Sequence, residues 1–163
     1  MKIWIRELGP GEFDVLDAVF AGLSPGSRFN RFHAGIPRLH PAMRDALAAV
    51  DGSRHIAVAA YADDEPIGIA RLIAVRDRPS DMAVEVVDHW QGCGVGTRLV
   101  LAVVERARAA GHTVVEAEIM AENRAVRRLI DRIFPEMSAT VTRSEITYRG
   151  HLAAVSGEEA SAA

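Results

Sequence analysis

Hydrophobic and polar positions change rhythm several times along this chain, and each change marks an element. Residues 3–8 read as a short strand. Phe13, Leu16, Phe20 and Leu23 recur at helical spacing and predict a helix over 12–23. Ser24-Pro25-Gly26-Ser27 stops it. Residues 28–40 carry no clear period and read as a loop with at most a short helical turn. A second short helix is expected over 41–50, with Pro41 in its first turn. Two apolar strands, 55–61 and 66–75, flank Ala62-Asp63-Asp64-Glu65 and predict a hairpin. A third strand follows at 82–87. Leu99, Val100, Val103, Val104 and Ala107 form one helical stripe that Gly111 ends. Residues 114–119 return to strand. Ala125, Val126, Leu129, Ile130 and Ile133 make the last helical stripe, which Pro135 stops. Residues 138–148 hold one or two strands with a break near Thr142-Arg143. A hairpin run of strands, then a strand–helix–strand unit, predicts an α/β (α+β) chain. Its mixed sheet should carry helices on both faces.

Composition narrows this only a little. At 163 residues the length suits a single domain, taken as 1–155, followed by a small polar tail at 156–163 that reads as disordered. Apolar residues make up 49% and charged residues 25%, which is ordinary for a globular protein. The net charge of −3 argues against a general nucleic-acid binder, whose footprint is usually basic. Cys93 is the only cysteine, so no disulfide can form within the chain, which fits a reducing cytoplasm. The opening residues are too polar for a secretion signal, and no apolar run reaches the roughly 18 residues of a membrane span.

The candidate chemistry lies in the run Gln91-Gly92-Cys93-Gly94-Val95-Gly96-Thr97-Arg98, between a strand and a helix. Glycines there can expose backbone N–H groups at a helix start, where the helix dipole favours an anion. Read alone, the run is either such an anion cradle or a tight turn. It sits too late in the chain for a dinucleotide fingerprint, and it lacks the Gly-Lys-Ser/Thr ending of a nucleotide-triphosphate loop.

The wider segment resembles the cofactor-binding motif of the GNAT superfamily of N-acetyltransferases. That motif is an apolar strand, then Gln or Arg, two residues, Gly, one residue, and Gly or Ala. Here it is Val84 to Val87, Gln91, Gly94 and Gly96. Asn123 opening the last helix, with Leu129 inside it, also fits. The resemblance implies a mostly antiparallel GNAT-like sheet and acetyl-CoA as cosubstrate. It implies cofactor contacts from Val86, Val87, Gln91, Gly92, Cys93, Gly94, Val95, Gly96, Thr97, Arg98 and Asn123. A backbone N–H near Val86 would stabilise the carbonyl oxygen during transfer. Two residues depart from the pattern. The position of Cys93 is often basic in the family, so backbone N–H groups and Arg98 are left to meet the diphosphate. The last helix lacks the tyrosine that many members use to protonate the leaving thiolate, so the general acid is unassigned.

The implied reaction is attack of a neutral amine on a thioester, and it needs a base. Asp81 and Glu85 are four apart and share a side of a regular strand. The position of Asp81, ten residues before the motif glutamine, resembles that of the catalytic glutamate in GNAT domains of bacterial protein lysine acetyltransferases. Its shorter side chain calls for a bridging water. Read blandly, Asp81 is a turn residue after Pro79-Ser80, Glu85 an exposed or ion-paired strand residue, and Asp88 a strand end. The stretch from Leu23 to Phe32 resembles a Leu-Ser-Pro, Ser, aromatic, Arg-Phe run of the same domains. Phe29 and Phe32 could wall a lysine stem, or simply anchor a loop.

No histidine pair has helical ligand spacing, and one cysteine cannot support a zinc cluster, so no metal is expected. Tyr61 and Tyr148 are the only tyrosines, and nothing in the sequence chooses between them. The acceptor would be a primary amine, of a protein lysine or a small molecule. No membrane partner is expected, and a homodimer stays open. The alternative reading is a CoA- or acyl-CoA-binding sensor without transfer.

Overall fold

The computed structural model describes residues 1–152. Seven strands form one sheet: β1 (Ile3–Glu7), β2 (His55–Ala62), β3 (Glu65–Ile73), β4 (Ser80–Val86), β5 (Val114–Met120), β6 (Ser138–Val141) and β7 (Glu145–His151). Their order is β1-β2-β3-β4-β5-β7-β6. Five helices flank them: α1 (Phe13–Ala21), α2 (Pro25–Phe32), α3 (Pro41–Ala48), α4 (Val95–Ala109) and α5 (Arg124–Ile133). The expected mixed, mostly antiparallel sheet is present. The tail at 156–163 lies outside the described residues.

Both faces of the sheet are covered, and this explains its apolar runs. All eight residues of β2 are buried, the mark of a strand packed on both sides. On one face Ile56, Val58, Ile67, Leu72, Leu99, Val103 and Ile130 make a core with α4 and α5. On the other, Leu16, Val19, Ala57, Ala59, Tyr61 and Ile69 pack under α1 and the α3 region.

The segment expected to be loop contains a full helix, α2. Ser24 caps it, accepting the Ser27 N–H at 3.2 Å, and Pro25 occupies its first turn. The residues that stop α1 therefore also start α2. No residue of α2 is fully buried, so no apolar stripe announced it.

Strand β4 begins two residues earlier than expected. Asp81 pairs with Ile73 on β3 and with Glu116 on β5, so it is a strand residue rather than a turn residue. The β4–β5 pair is the one parallel pairing in the sheet and covers only Ser80↔Val115 and Asp81↔Glu116. Beyond it β4 runs on to Val86 and β5 to Met120 without pairing to each other. The sheet is split there, and the split holds the candidate site.

Candidate active site

The split opens into a cleft of about 570 Å³. Its walls are β4 from Asp81 to Val86, β5 around Ala117 to Ile119, the cleft-facing sides of α2 and α5, and the glycine run. Strand pairing determines what β4 offers to it. Val87 donates to Ile67 O at 2.9 Å, so that pair and alternate pairs along the antiparallel ladder bond toward β3. The backbone groups of Val84 and Val86, beyond the β4–β5 pairing, consequently point the other way, toward the gap. Gln91 Nε2 donates to Val86 O at 2.9 Å and to Ser27 Oγ at 3.2 Å. It ties the turn after β4 to the strand end and to α2.

The glycine run behaves as an open cradle. Gly92 and Gly94 have φ of 75° and 82°, in the left-handed region that favours glycine. Gly94 precedes α4 with no side-chain cap. Among the described residues, none of the N–H groups of residues 92–97 donates a hydrogen bond within the chain. Gly96 serves packing instead: a Cβ there would meet Leu129 Cδ1 at 3.0 Å. Its absence lets α5 lie close against the first turn of α4.

The two β4 carboxylates share a face but not an environment. Glu85 is buried, ion-paired with the Arg31 guanidinium, and 3.9 Å from Arg71 Nη2. Arg71 is buried too, and donates to Leu47 O at 2.8 Å. Desolvation brings its guanidinium down to about 10, against the attraction of Glu85. Asp81 makes no hydrogen bond with a side chain among the described residues. Its side chain lines the cleft and is exposed there. Desolvation raises its pKa, with Glu116 adding to the rise and Arg31, Arg78 and His33 opposing it. A cleft-facing carboxylate with a raised pKa is a candidate proton acceptor.

A third group of titratable side chains gathers beside Asp81. His33, at the end of α2, lies with its Nδ1 2.9 Å from Glu145 Oε1 and 3.9 Å from Glu118 Oε1. A hydrogen bond with Glu145 pushes the Glu118 carboxyl up. The same three ligand atoms lie within 4.8 Å of one another. They come from three separate elements, which is why a search for helical ligand spacing passed them over.

The cleft gathers most of the expected site residues: Asp81, Glu85, Val86, Gln91, Gly92, Gly94, Gly96, Thr97 and Asn123 all line it. Asn123 Oδ1 caps α5, accepting the Val126 N–H at 3.4 Å. Four expected residues are not in its lining. Val87 packs against Gly22, Cys93 is exposed, Val95 is buried in the core, and Arg98 Nη2 donates to Ile3 O at 3.0 Å. Phe32 lines the cleft and lies 5.9 Å from the Phe20 ring, whereas Phe29 faces outward. Neither tyrosine lines the cleft: Tyr61 stacks on Trp4, and Tyr148 is buried in the α4 core. Sequence reading missed His33, Glu118, Arg128 and Arg132, all of which line it.

Comparison with known proteins shows the family and the fold. The model of the GNAT acetyltransferase family matches residues 25–134. The acetyltransferase PA5475 of Pseudomonas aeruginosa is 30% identical over 112 residues. That alignment covers 66% of this chain and 60% of the relative, so the chain spans less than two thirds of that protein's length. The GNAT domain of S. lividans PAT superposes with a TM-score of 0.80 at 20% identity, over 90% of this chain and 89% of that one. The structure of yncA from Salmonella typhimurium with its cofactor acetyl-CoA superposes at 0.68 and 16% identity, over 93% and 95% of the chains. No helix among the described residues is long and apolar enough to cross a membrane.

Proposed function

Because the chain belongs to the GNAT family of acetyltransferases, we propose that it moves an acetyl group from acetyl-CoA to a primary amine by direct attack in a ternary complex. One observation carries this reading. Undonated N–H groups at residues 92–97 stand at the mouth of a cleft whose wall is the unpaired edge of β4. The first feature suits a diphosphate, and the second suits the amide-bearing arm attached to it. Asn123 and Gln91 border the same path.

The chemistry follows from the positions. A lysine-like amine has a pKa of about 10.4 and arrives mostly protonated. Asp81 takes its proton, through a water because the aspartate side chain is short. As charge develops on the thioester oxygen, the Val86 N–H of the open strand edge stabilises it. Binding both reactants in one cleft supplies the positioning. Glu85 does not compete for the role of base, because its oxygens are engaged by arginines. The acceptor is a cation, of a protein lysine or a small molecule, and the single thiol suits a cytoplasmic enzyme.

The lack of a tyrosine in the cleft favours a second reading, a CoA-binding domain that performs no transfer. Two measurements separate them. Calorimetry reports acetyl-CoA binding, and a thiol reagent reports CoA released with a panel of amines. Release that depends on the amine supports the enzyme. Binding without release across the panel supports the sensor, and absence of binding overturns both.

A further inference from the structure

Resting on that reading, we propose that Arg128 and Arg132 of α5 supply the positive charge that holds the phosphates of the nucleotide half of acetyl-CoA, in place of a cation in the glycine run. A diphosphate brings negative charge that amide dipoles offset only partly, and charge-assisted contacts from guanidinium groups are the stronger ones. Between Asp88 and Arg98 the run offers one arginine, Arg98, and its guanidinium is turned away to the Ile3 carbonyl. Cys93 stands between the first two glycines, with its Sγ toward Gln91 O.

The cation is instead brought across by packing. Gly96 admits Leu129, which seats α5 on the first turn of α4. Arg132 Nη2 then donates to Thr97 Oγ1, on the last residue of the run of undonated N–H groups. Arg128, four residues earlier on the same helical face, lines the cleft as well. Its Nε donates only to the Arg124 carbonyl, at 3.4 Å.

Charge pairing points the same way. Of the arginines that line the cleft, Arg31 is ion-paired with Glu85. Among the described residues neither Arg128 nor Arg132 has such a partner, although Asp131 sits between them in sequence. Two guanidinium groups without carboxylate partners, beside a row of undonated N–H groups, form a site for phosphoryl oxygens.

The test compares wild type with Arg128→Ala/Arg132→Ala and with Arg128→Lys/Arg132→Lys. Calorimetric dissociation constants are measured for CoA, dephospho-CoA and pantetheine, with thermal unfolding of each variant as a fold check. The alanine pair should weaken CoA binding by about tenfold or more, leave pantetheine within about twofold, and flatten the salt dependence of CoA binding. The lysine pair should recover most of the affinity. Equal loss for CoA and dephospho-CoA locates the arginines on the diphosphate, while loss confined to CoA locates them on the 3′-phosphate. Unchanged CoA affinity in a folded alanine pair, or equal loss for CoA and pantetheine, overturns the proposal and leaves the acetyltransferase reading standing. Wild-type protein that binds no CoA overturns both.

Discussion

The two flanks of the cleft carry opposite chemistry. Toward α4 and α5 it presents undonated N–H groups, Arg128 and Arg132. Toward α2 and β5 it presents Asp81, Glu118 and His33, whose Nδ1 lies 2.9 Å from Glu145 Oε1 on β7. Strand alternation keeps them apart. Asp81, Glu85 and Glu116 share the face of Arg71 and Ile69, while Val84 and Val86 pack toward α4. In a continuous sheet these two chemistries would be on opposite sides of a closed wall. Splitting β4 from β5 after Asp81↔Glu116 joins them through the gap. On the proposed reading, a polyanionic cosubstrate and a cationic acceptor would enter from opposite faces and meet at the strand edge.

Breaking the acidic flank at Asp81 should have the largest effect. Asp81→Asn is expected to lower kcat about a thousandfold, as loss of a general base does, with acetyl-CoA binding retained. Thiol-release kinetics with calorimetry check both parts. Stability should move the other way. Desolvation raises the Asp81 pKa in the fold, so the unfolded chain ionises first as pH rises. The acid then costs the fold stability once pH passes the ordinary carboxylate value of about 3.9. Wild type and variant should coincide in unfolding free energy below that pH. Above it the variant should be the more stable. A less stable variant at neutral pH would show Asp81 to be a structural residue.

Glu85 sharpens the contrast, because it lies on the same strand and face with the opposite expectation. Glu85→Gln leaves Arg31 and Arg71 without their counter-charge in a site where the Glu85 side chain is only 4% exposed. The expected cost is about 3 kcal/mol of stability, read from denaturant midpoints. Turnover per folded molecule should stay within a few-fold. A wild-type melting curve with a thousandfold lower kcat would exchange the roles of the two carboxylates.

How much of this contrast the sequence held depends on the range of the interactions. Helices α1, α4 and α5 and the β2–β3 hairpin follow from local apolar spacing, and the cradle follows from glycines close together in the chain. Helix α2 escaped notice because Arg28 to Phe32 buries nothing fully, although Ser24-Pro25 is a start signal. Glu85 could not be told from Asp81, because its partners Arg31 and Arg71 lie 54 and 14 residues away along the chain. The acidic flank joins α2, β5 and β7, whose meeting is set by the sheet order alone. Arg128 and Arg132 lie on the polar side of α5, and which way that side faces is set by the packing of Leu129 on Gly96, which no local pattern announces.

On the opposite flank, Gly94→Ala tests the cradle. A Cβ there meets nothing within 4 Å, so the substitution brings no clash. Its φ of 82° still places an alanine in the left-handed region. The cost is about 1 kcal/mol. Either the loop keeps its shape and stability falls by that amount, or it relaxes and its N–H groups turn from the anion. Both outcomes raise KM or lower stability modestly, and acetyl-CoA titrations beside thermal melts separate them. Unchanged stability and unchanged KM would mean that the left-handed turn does not matter for binding.

The smallest effect should come from Glu118. It is half exposed, so Glu118→Gln removes a charge that solvent already screens. Exposed charge interactions are worth at most about 1 kcal/mol, or roughly a fivefold change in binding. KM for a cationic acceptor should therefore rise by a few-fold, kcat should hold, and KM for acetyl-CoA should not move. Salt should erase the difference, because partly solvated charges are screened. An effect on acetyl-CoA as large as that on the amine would mean that the two flanks are not separate, and that the split in the sheet does not partition the reactants by charge.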